Sequence, residues 1–232
     1  TGMAVLQAES EVASINMVYG GAACGRKVLT TSSSPGISLM QEGLSYIAGA
    51  QLPCLVVNVV RGGPGLGTIQ PSQADYFQST KGGGHGDYKL ITLAPSSVQE
   101  MADFVKLGFD LAFKYRNPAM ILTDGAIGQM MEKVELFEQI PRRTQEEVEK
   151  EFPWATTGKK PGKERSIITS LELDSAKQEE VNLAIQAKYR ELEKNDVRFE
   201  TLECDDAEYL IVAYGTSSRI CQKTIQLARE KG

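Results

Sequence analysis

Leu6-Gln7-Ala8-Glu9-Ser10-Glu11-Val12-Ala13-Ser14-Ile15-Asn16 is followed, about a helix's length later, by Thr31-Ser32-Ser33-Ser34-Pro35-Gly36. Ala4 to Gln7 predicts a short strand. From Glu9 to Ala23 the residues Val12, Ile15, Tyr19 and Ala22 recur at spacings of three and four, the period of a helix packed on one side. Lys27 to Thr31 predicts a second strand, and Pro35 opens a helix running through Ala48, since proline is at home in a first helical turn. Strand, helix, strand and serine-glycine turn together set a carboxylate beside a loop of free amides and hydroxyls.

The same alternation continues along the chain. Leu52 to Val60 reads as an uninterrupted apolar run, the mark of a strand covered on both faces of a parallel sheet. Arg61 to Asp87 holds eight glycines and no clear period, and so long a loop in a compact domain is usually functional. Lys89 to Leu93 is a strand, and Ser96 or Ser97 caps a helix through Tyr115, with Gln99 or Glu100 placed for a capping box. Met120 to Leu122 is another strand, ending at Thr123-Asp124-Gly125. This order predicts an α/β fold, a doubly wound parallel sheet with its site at the carboxyl ends of the strands.

Beyond residue 131 the composition changes. Residues 132–206 are dominated by charge, with an amphipathic helix from Lys177 to Glu193, and read as a connecting arm with solvated faces. In residues 207–232, Tyr209 to Thr216 predicts a strand and glycine turn, and Ser217 to Lys231 a helix. This is one strand-helix unit of a second α/β domain, after a first domain spanning residues 1–131.

With 232 residues, 41% hydrophobic and 24% charged, the chain is ordinary for a globular protein. A formal net charge of -5 gives no reason to expect nucleic acid, whose binding surfaces are basic. No apolar run approaches the ~20 residues that span a bilayer, and Met3 to Leu6 is too short for a signal peptide's core. Cys24, Cys54, Cys204 and Cys221 show no paired spacing, which predicts reduced, mostly buried thiols in a cytoplasmic protein. It also argues against an iron–sulfur cluster held by this chain alone.

Several segments taken together resemble one family. QAESEVASINMVYGGAACG, TTSSSPGISLMQEG, VVRGGPGLGTIQPSQADYF, GGGHGDYKLITLAPSSVQEM and YRNPAMILTDGAIGQ are similar to the α subunits of 2-oxoacid:ferredoxin oxidoreductases, in particular the 2-oxoisovalerate and 2-oxoglutarate types, the branched-chain one first. The resemblance implies a pyrimidine-binding domain for thiamine diphosphate. It also implies oxidative decarboxylation of a 2-oxo acid to acyl-CoA, with coenzyme A as co-substrate and ferredoxin as electron acceptor. Family members carry a further strand and helix before the first motif and most of a second domain after the last, so this chain looks like part of a longer protein.

What the resemblance assigns to residues can be set beside what they could do alone. Thiamine diphosphate needs a carboxylate against N1′ of its pyrimidine, and the acid at the matching distance before Gly36 is Glu11; the pair Glu9 and Glu11 would equally complement a helix N-terminus. Ser33, Ser34, Pro35 and Gly36 match the loop that faces the cofactor, or form an ordinary proline-led helix start. Arg61, directly after the central strand, matches an arginine that holds the substrate carboxylate, for which a guanidinium fork is suited; otherwise it pairs with a nearby loop acid. His85, the only histidine, lies in the family's GGHG segment and lines the site or a partner face, or is a polar loop residue. Asp124-Gly125 reads as structural or interfacial.

The pattern GDG with a downstream asparagine, by which thiamine enzymes hold Mg²⁺ and diphosphate, does not occur in these residues, and neither GxGxxG nor GxxxxGK[ST] does. No metal ligands are expected here. A β subunit is therefore expected to supply the other half-site with its Mg²⁺, and γ and ferredoxin-like subunits the iron–sulfur clusters. The other readings are a thiamine-dependent decarboxylase or synthase subunit, and a non-catalytic assembly module of the same fold.

Overall fold

Cys54–Val60 (β2) is the centre of the sheet. It is buried along its length except for partial exposure at Val59, as expected of a strand with helices on both sides. In the computed structural model, which describes residues 2–162 and 164–231, the elements before it are Glu11–Ala23 (α1), Leu29–Ser32 (β1), Ser34–Leu39 (α2) and Gln41–Gly49 (α3). After it come Tyr76–Thr80 (α4), Ile91–Leu93 (β3), Val98–Tyr115 (α5), Pro118–Asp124 (β4) and Gly125–Gln129 (α6), then Gln145–Glu151 (α7), Ser175–Asn195 (α8) and Gly215–Arg229 (α9). The four strands lie in the order β1-β2-β4-β3, all parallel, with Cys54 opposite Pro118 and Val60 opposite Asp124.

The period-two alternation of β2 divides the core into two layers. Cys54 and Val56 join Met120, Ile15, Val18, Ile37, Leu44 and Ile47 beneath α1, α2 and α3. Leu55 and Val57 join Ala119, Ile121, Leu111, Ala112 and Tyr115 beneath α5. Helices on both faces make this the doubly wound α/β sheet read from the sequence.

Local sequence decides several boundaries differently from the pattern. Residues 4–7 form no strand; Val5 and Leu6 are 78% and 74% exposed, because the edge strand β1 has only β2 as its neighbour. The first helix begins at Glu11, not Glu9. Ser10 takes extended dihedrals and its Oγ accepts from Ala13 N at 3.2 Å, a serine N-cap that fixes the start. The helix expected from Pro35 to Ala48 is two helices meeting at Met40. Ser97 caps α5, and Glu100 Oε2 accepts from the Ser96 amide at 2.6 Å.

Residues 209–212, expected as a strand, form none and are 55–88% exposed. A strand needs a neighbour, and among the described residues none lies beside this segment; α9 nevertheless forms. The thiols also differ from expectation: all four are free, but only Cys54 is buried, while Cys24 is exposed.

The charged region 132–206 is not a free connector. Thr144 and Glu147 close a full capping box on α7, and Val148 and Ala155, 1% and 0% exposed, press on Gly25. A Cβ there would fall 2.8 Å from Val148 Cγ1. Thr156 N donates to Ala23 O at 2.8 Å, and Tyr189 of α8 is buried, its hydroxyl accepting from Lys89 N at 3.0 Å. Among the described residues no helix is long and apolar enough to cross a membrane.

Candidate functional site

The cap at Ser10 places Glu11 in the first turn of α1, on the same side as Ser14, whose hydroxyl lies 2.7 Å from Thr30 Oγ1 of β1. One residue pair further along, where β1 turns into α2, Gly36 comes so close to α1 that a side chain has no room. An ideal Cβ on Gly36 would stand 2.8 Å from both Cγ and Oε1 of Glu11, and 2.1 Å from Ser32 Oγ. Glu11 and Gly36, 25 positions apart in sequence, thus meet at the carboxyl end of β1. Glu9 lies outside the helix, exposed, and accepts from Ser10 Oγ at 3.2 Å.

The Ser-Ser-Pro-Gly turn is also an ordinary helix start, so its two readings coexist. Ser33 is the N-cap of α2 and makes no side-chain cap bond, Pro35 lies in the first turn, and Gly36 N donates to Ser33 O at 2.7 Å. Ser34 has a different task. Its Oγ accepts from Arg61 N at 3.1 Å and also donates to Arg61 O at 3.4 Å. The hydroxyl therefore locks the turn to the end of β2, two residues from Gly36, through the Arg61 backbone.

Arg61 leaves β2 through a bridge to Pro71, and its Nε is buried with no hydrogen-bond partner. No ion pair among the described residues includes it, so the alternative of a loop acid as partner is not realised. A buried guanidinium N–H without an acceptor is costly unless something else supplies one.

His85 is exposed and is held by its backbone: its carbonyl accepts from Ser45 Oγ at 2.8 Å. Gly83 and Gly84 press on Gln41, where Tyr88 OH donates to Oε1 at 2.8 Å. Among the described residues no hydrogen bond or ion pair joins the His85 ring to Glu11, Gly36 or Arg61. Asp124 caps α6, accepting from Ala126 N and Ile127 N, and accepts from Thr216 Oγ1 at 2.7 Å.

Two residues escaped the sequence reading. Ser32 directs its hydroxyl at Gly36 beside Glu11; only its place in a serine run marked it. Asn58 breaks the run read as uninterruptedly apolar. It is 0% exposed, its Nδ2 donates to Asp75 Oδ2 at 3.2 Å, and its Oδ1 has no partner. A polar residue inside an apolar strand was a legible signal. Among the described residues no group of three or more His, Cys, Asp and Glu could hold a metal ion.

Open parallel α/β sheets take their ligands in the crevice at the carboxyl ends of the strands, and Glu11, the Gly36 turn and Arg61 all lie at that edge. Residues 1–195 match the family described as pyruvate flavodoxin/ferredoxin oxidoreductase, thiamine diP-bdg, and the chain belongs to it. The chain is 50% identical over 234 residues to the ketoisovalerate oxidoreductase subunit VorB of Methanothermobacter thermautotrophicus, covering 100% of this chain and 64% of that protein. It is 37% identical to the 2-oxoglutarate synthase subunit KorA of Methanocaldococcus jannaschii, covering 98% of this chain and 66% of that one. The solved 2-oxoglutarate:ferredoxin oxidoreductase from Magnetococcus marinus, with 2-oxoglutarate, coenzyme A and succinyl-CoA bound, superposes with a TM-score of 0.76 at 26% identity. That match covers 100% of this chain and 44% of the other. The chain thus spans about two thirds of the length of these subunit relatives.

Proposed function

We propose that this chain is the pyrimidine-side half of a thiamine diphosphate site in a 2-oxoacid:ferredoxin oxidoreductase, and that the complex converts a branched-chain 2-oxo acid, 2-oxoisovalerate first, to its acyl-CoA. The carrying observation is the contact of Glu11 with Gly36. Gly36 lacks a side chain because Glu11 and Ser32 fill that volume, and the Glu11 carboxyl is thereby held against the backbone of the turn at the carboxyl end of β1. The residues fit the cofactor in this respect. Glu11 would hold a proton against N1′ of the aminopyrimidine, with the Gly36 turn and the Ser33 hydroxyl facing the ring. The chemistry the cofactor supplies when bound is stabilisation of the carbanion left after a 2-oxo acid loses CO₂.

Arg61 would take the substrate carboxylate through two parallel N–H···O bonds, which fits its unpartnered Nε. Ser34 positions it without touching substrate, by gripping its backbone. In this reading residues 1–131 carry the half-site, 132–206 clamp it, and 207–232 begin a second unit. A β subunit brings Mg²⁺ and the diphosphate contacts, while γ and ferredoxin-like chains bring iron–sulfur clusters that pass electrons to ferredoxin in the cytoplasm. His85 is a candidate for the partner-facing rim.

The preference for 2-oxoisovalerate rests on the 50% identity to a ketoisovalerate oxidoreductase subunit. Ferredoxin- or viologen-linked turnover of the assembled complex on pyruvate, 2-oxoglutarate and 2-oxoisovalerate tests it. Highest kcat/KM on 2-oxoisovalerate is expected; a preference for 2-oxoglutarate would reassign the substrate, and coenzyme A-independent release of an aldehyde would favour a decarboxylase. Arg61→Lys keeps the charge but loses the fork. It should raise KM roughly ten- to hundredfold, the worth of one charge-assisted contact, with kcat near normal. A lowered melting temperature with normal KM would remove Arg61 from the site.

A further inference from the structure

At the opposite end of the sheet, where β2 and β4 begin, two cations share one backbone turn. Arg116, in the left-handed region at φ 46° after α5, donates from Nε to Gln51 O at 3.1 Å. Its guanidinium lies 4.6 Å from the Trp154 ring centroid. Lys188 of α8 reaches the same turn, its Nζ donating to Arg116 O at 3.0 Å and to Gln51 Oε1 at 3.4 Å. Among the described residues neither cation has a carboxylate within ion-pair distance. Burial holds Arg116 below the usual arginine range, and burial followed by the Arg116 charge lowers Lys188 to about 8. Partly dried like charges held side by side are unfavourable until an anion joins them.

Space for one is present. Arg116 lines an open cleft of about 440 Å³, walled by Ala50, Trp154, Arg165, Ser166 and Ile168, a volume in the range of small-molecule sites. The two terminal nitrogens of Arg116 make no hydrogen bond among the described residues, and Arg165 enters the cleft without an ion-pair partner. Glu164 also borders it and pairs with neither arginine. The seven residues of β2, at about 3.3 Å each, put the cleft roughly 20 Å from the end where Glu11 stands.

We propose that this cleft is a second binding site, for a small organic oxyanion bearing phosphate or several carboxylates, gripped by the planar fork of Arg116 and by Arg165 with Lys188 reinforcing the field. It is independent of the thiamine assignment. Isothermal titration of the whole chain at constant ionic strength, with sodium pyrophosphate in one arm and citrate in the other, tests it and separates phosphate from carboxylate ligands. Saturable binding tighter than about 1 mM is expected for at least one probe. Arg165→Gln, on an exposed segment, should weaken binding about tenfold with the melting temperature unchanged, and Arg116→Gln should weaken it ten- to hundredfold. Arg61→Ala at the other pole should leave it intact. If Arg116→Gln fails to fold, Arg165→Gln decides alone. No saturable binding of either probe, or binding that survives Arg165→Gln unchanged, overturns the proposal.

Discussion

Gly36 is bare because Glu11 and Ser32 already occupy the volume a side chain would fill. Gly36→Ala must displace one of them, and overpacking of this kind costs about 1–3 kcal/mol. The expected outcome is a stability loss in that range by urea denaturation, with thiamine-dependent turnover of the complex falling further than in Ser33→Ala, whose hydroxyl makes no cap bond. Lys188 gives a pH signature. Its value of about 8, against an ordinary 10.5, means that between those values the unfolded chain holds a proton the folded chain has released. Stability from this group therefore rises with pH through that window, and its penalty is full below pH 8. Relative to Lys188→Met, the wild type should gain about 2 kcal/mol between pH 7.5 and pH 10 by urea denaturation; a difference that does not change with pH would show that Lys188 is not held this way. Cys54, pushed up to about 12 by burial, stays a thiol at pH 8. Iodoacetamide should label exposed Cys24 in the native chain and Cys54 only after denaturation, as read by peptide mass spectrometry.

Elements were legible where local chemistry and tertiary packing agree. Ser97 and Glu100 announced α5, and the apolar run announced β2; both stand within a residue or two of their expected places. Boundaries moved where a side chain outvoted the pattern, as Ser10 did at the start of α1. Residues 4–7 and 209–212 have strand composition, but a strand is a pairing, and the pairing partner is not written in the segment itself. The charged arm misled for a related reason: its solvated residues dominate the count, while Val148, Trp154, Ala155 and Tyr189 do the packing. If α7 is a clamp on α1, Val148→Ala should cost about 2 kcal/mol from two lost buried carbons and the small void left behind. Calorimetry should show one transition at lower temperature; an unshifted transition would return the arm to the role of connector.

For the whole molecule, the doubly wound sheet and a carboxylate beside the serine-glycine turn were readable from alternation, while the family resemblance singled out Glu11 over Glu9 as the acid that meets Gly36. Less was readable of how Arg61 joins them. That link runs through Ser34, whose hydroxyl was expected to face a ligand and instead holds the Arg61 backbone, a tertiary contact no local pattern contains. The cationic cleft at the other pole was also invisible, since Arg116, Arg165 and Lys188 lie far apart in sequence. The central claim is that Glu11 governs the proton at the cofactor's pyrimidine, and it is tested most directly by deuterium exchange at thiamine C2 in the assembled complex. Glu11→Gln should slow that exchange at least about a hundredfold, the usual worth of a positioned acid–base group, while subunit assembly by size-exclusion chromatography stays normal. Exchange at the wild-type rate in an assembled Glu11→Gln complex would contradict the account and move the carboxylate elsewhere.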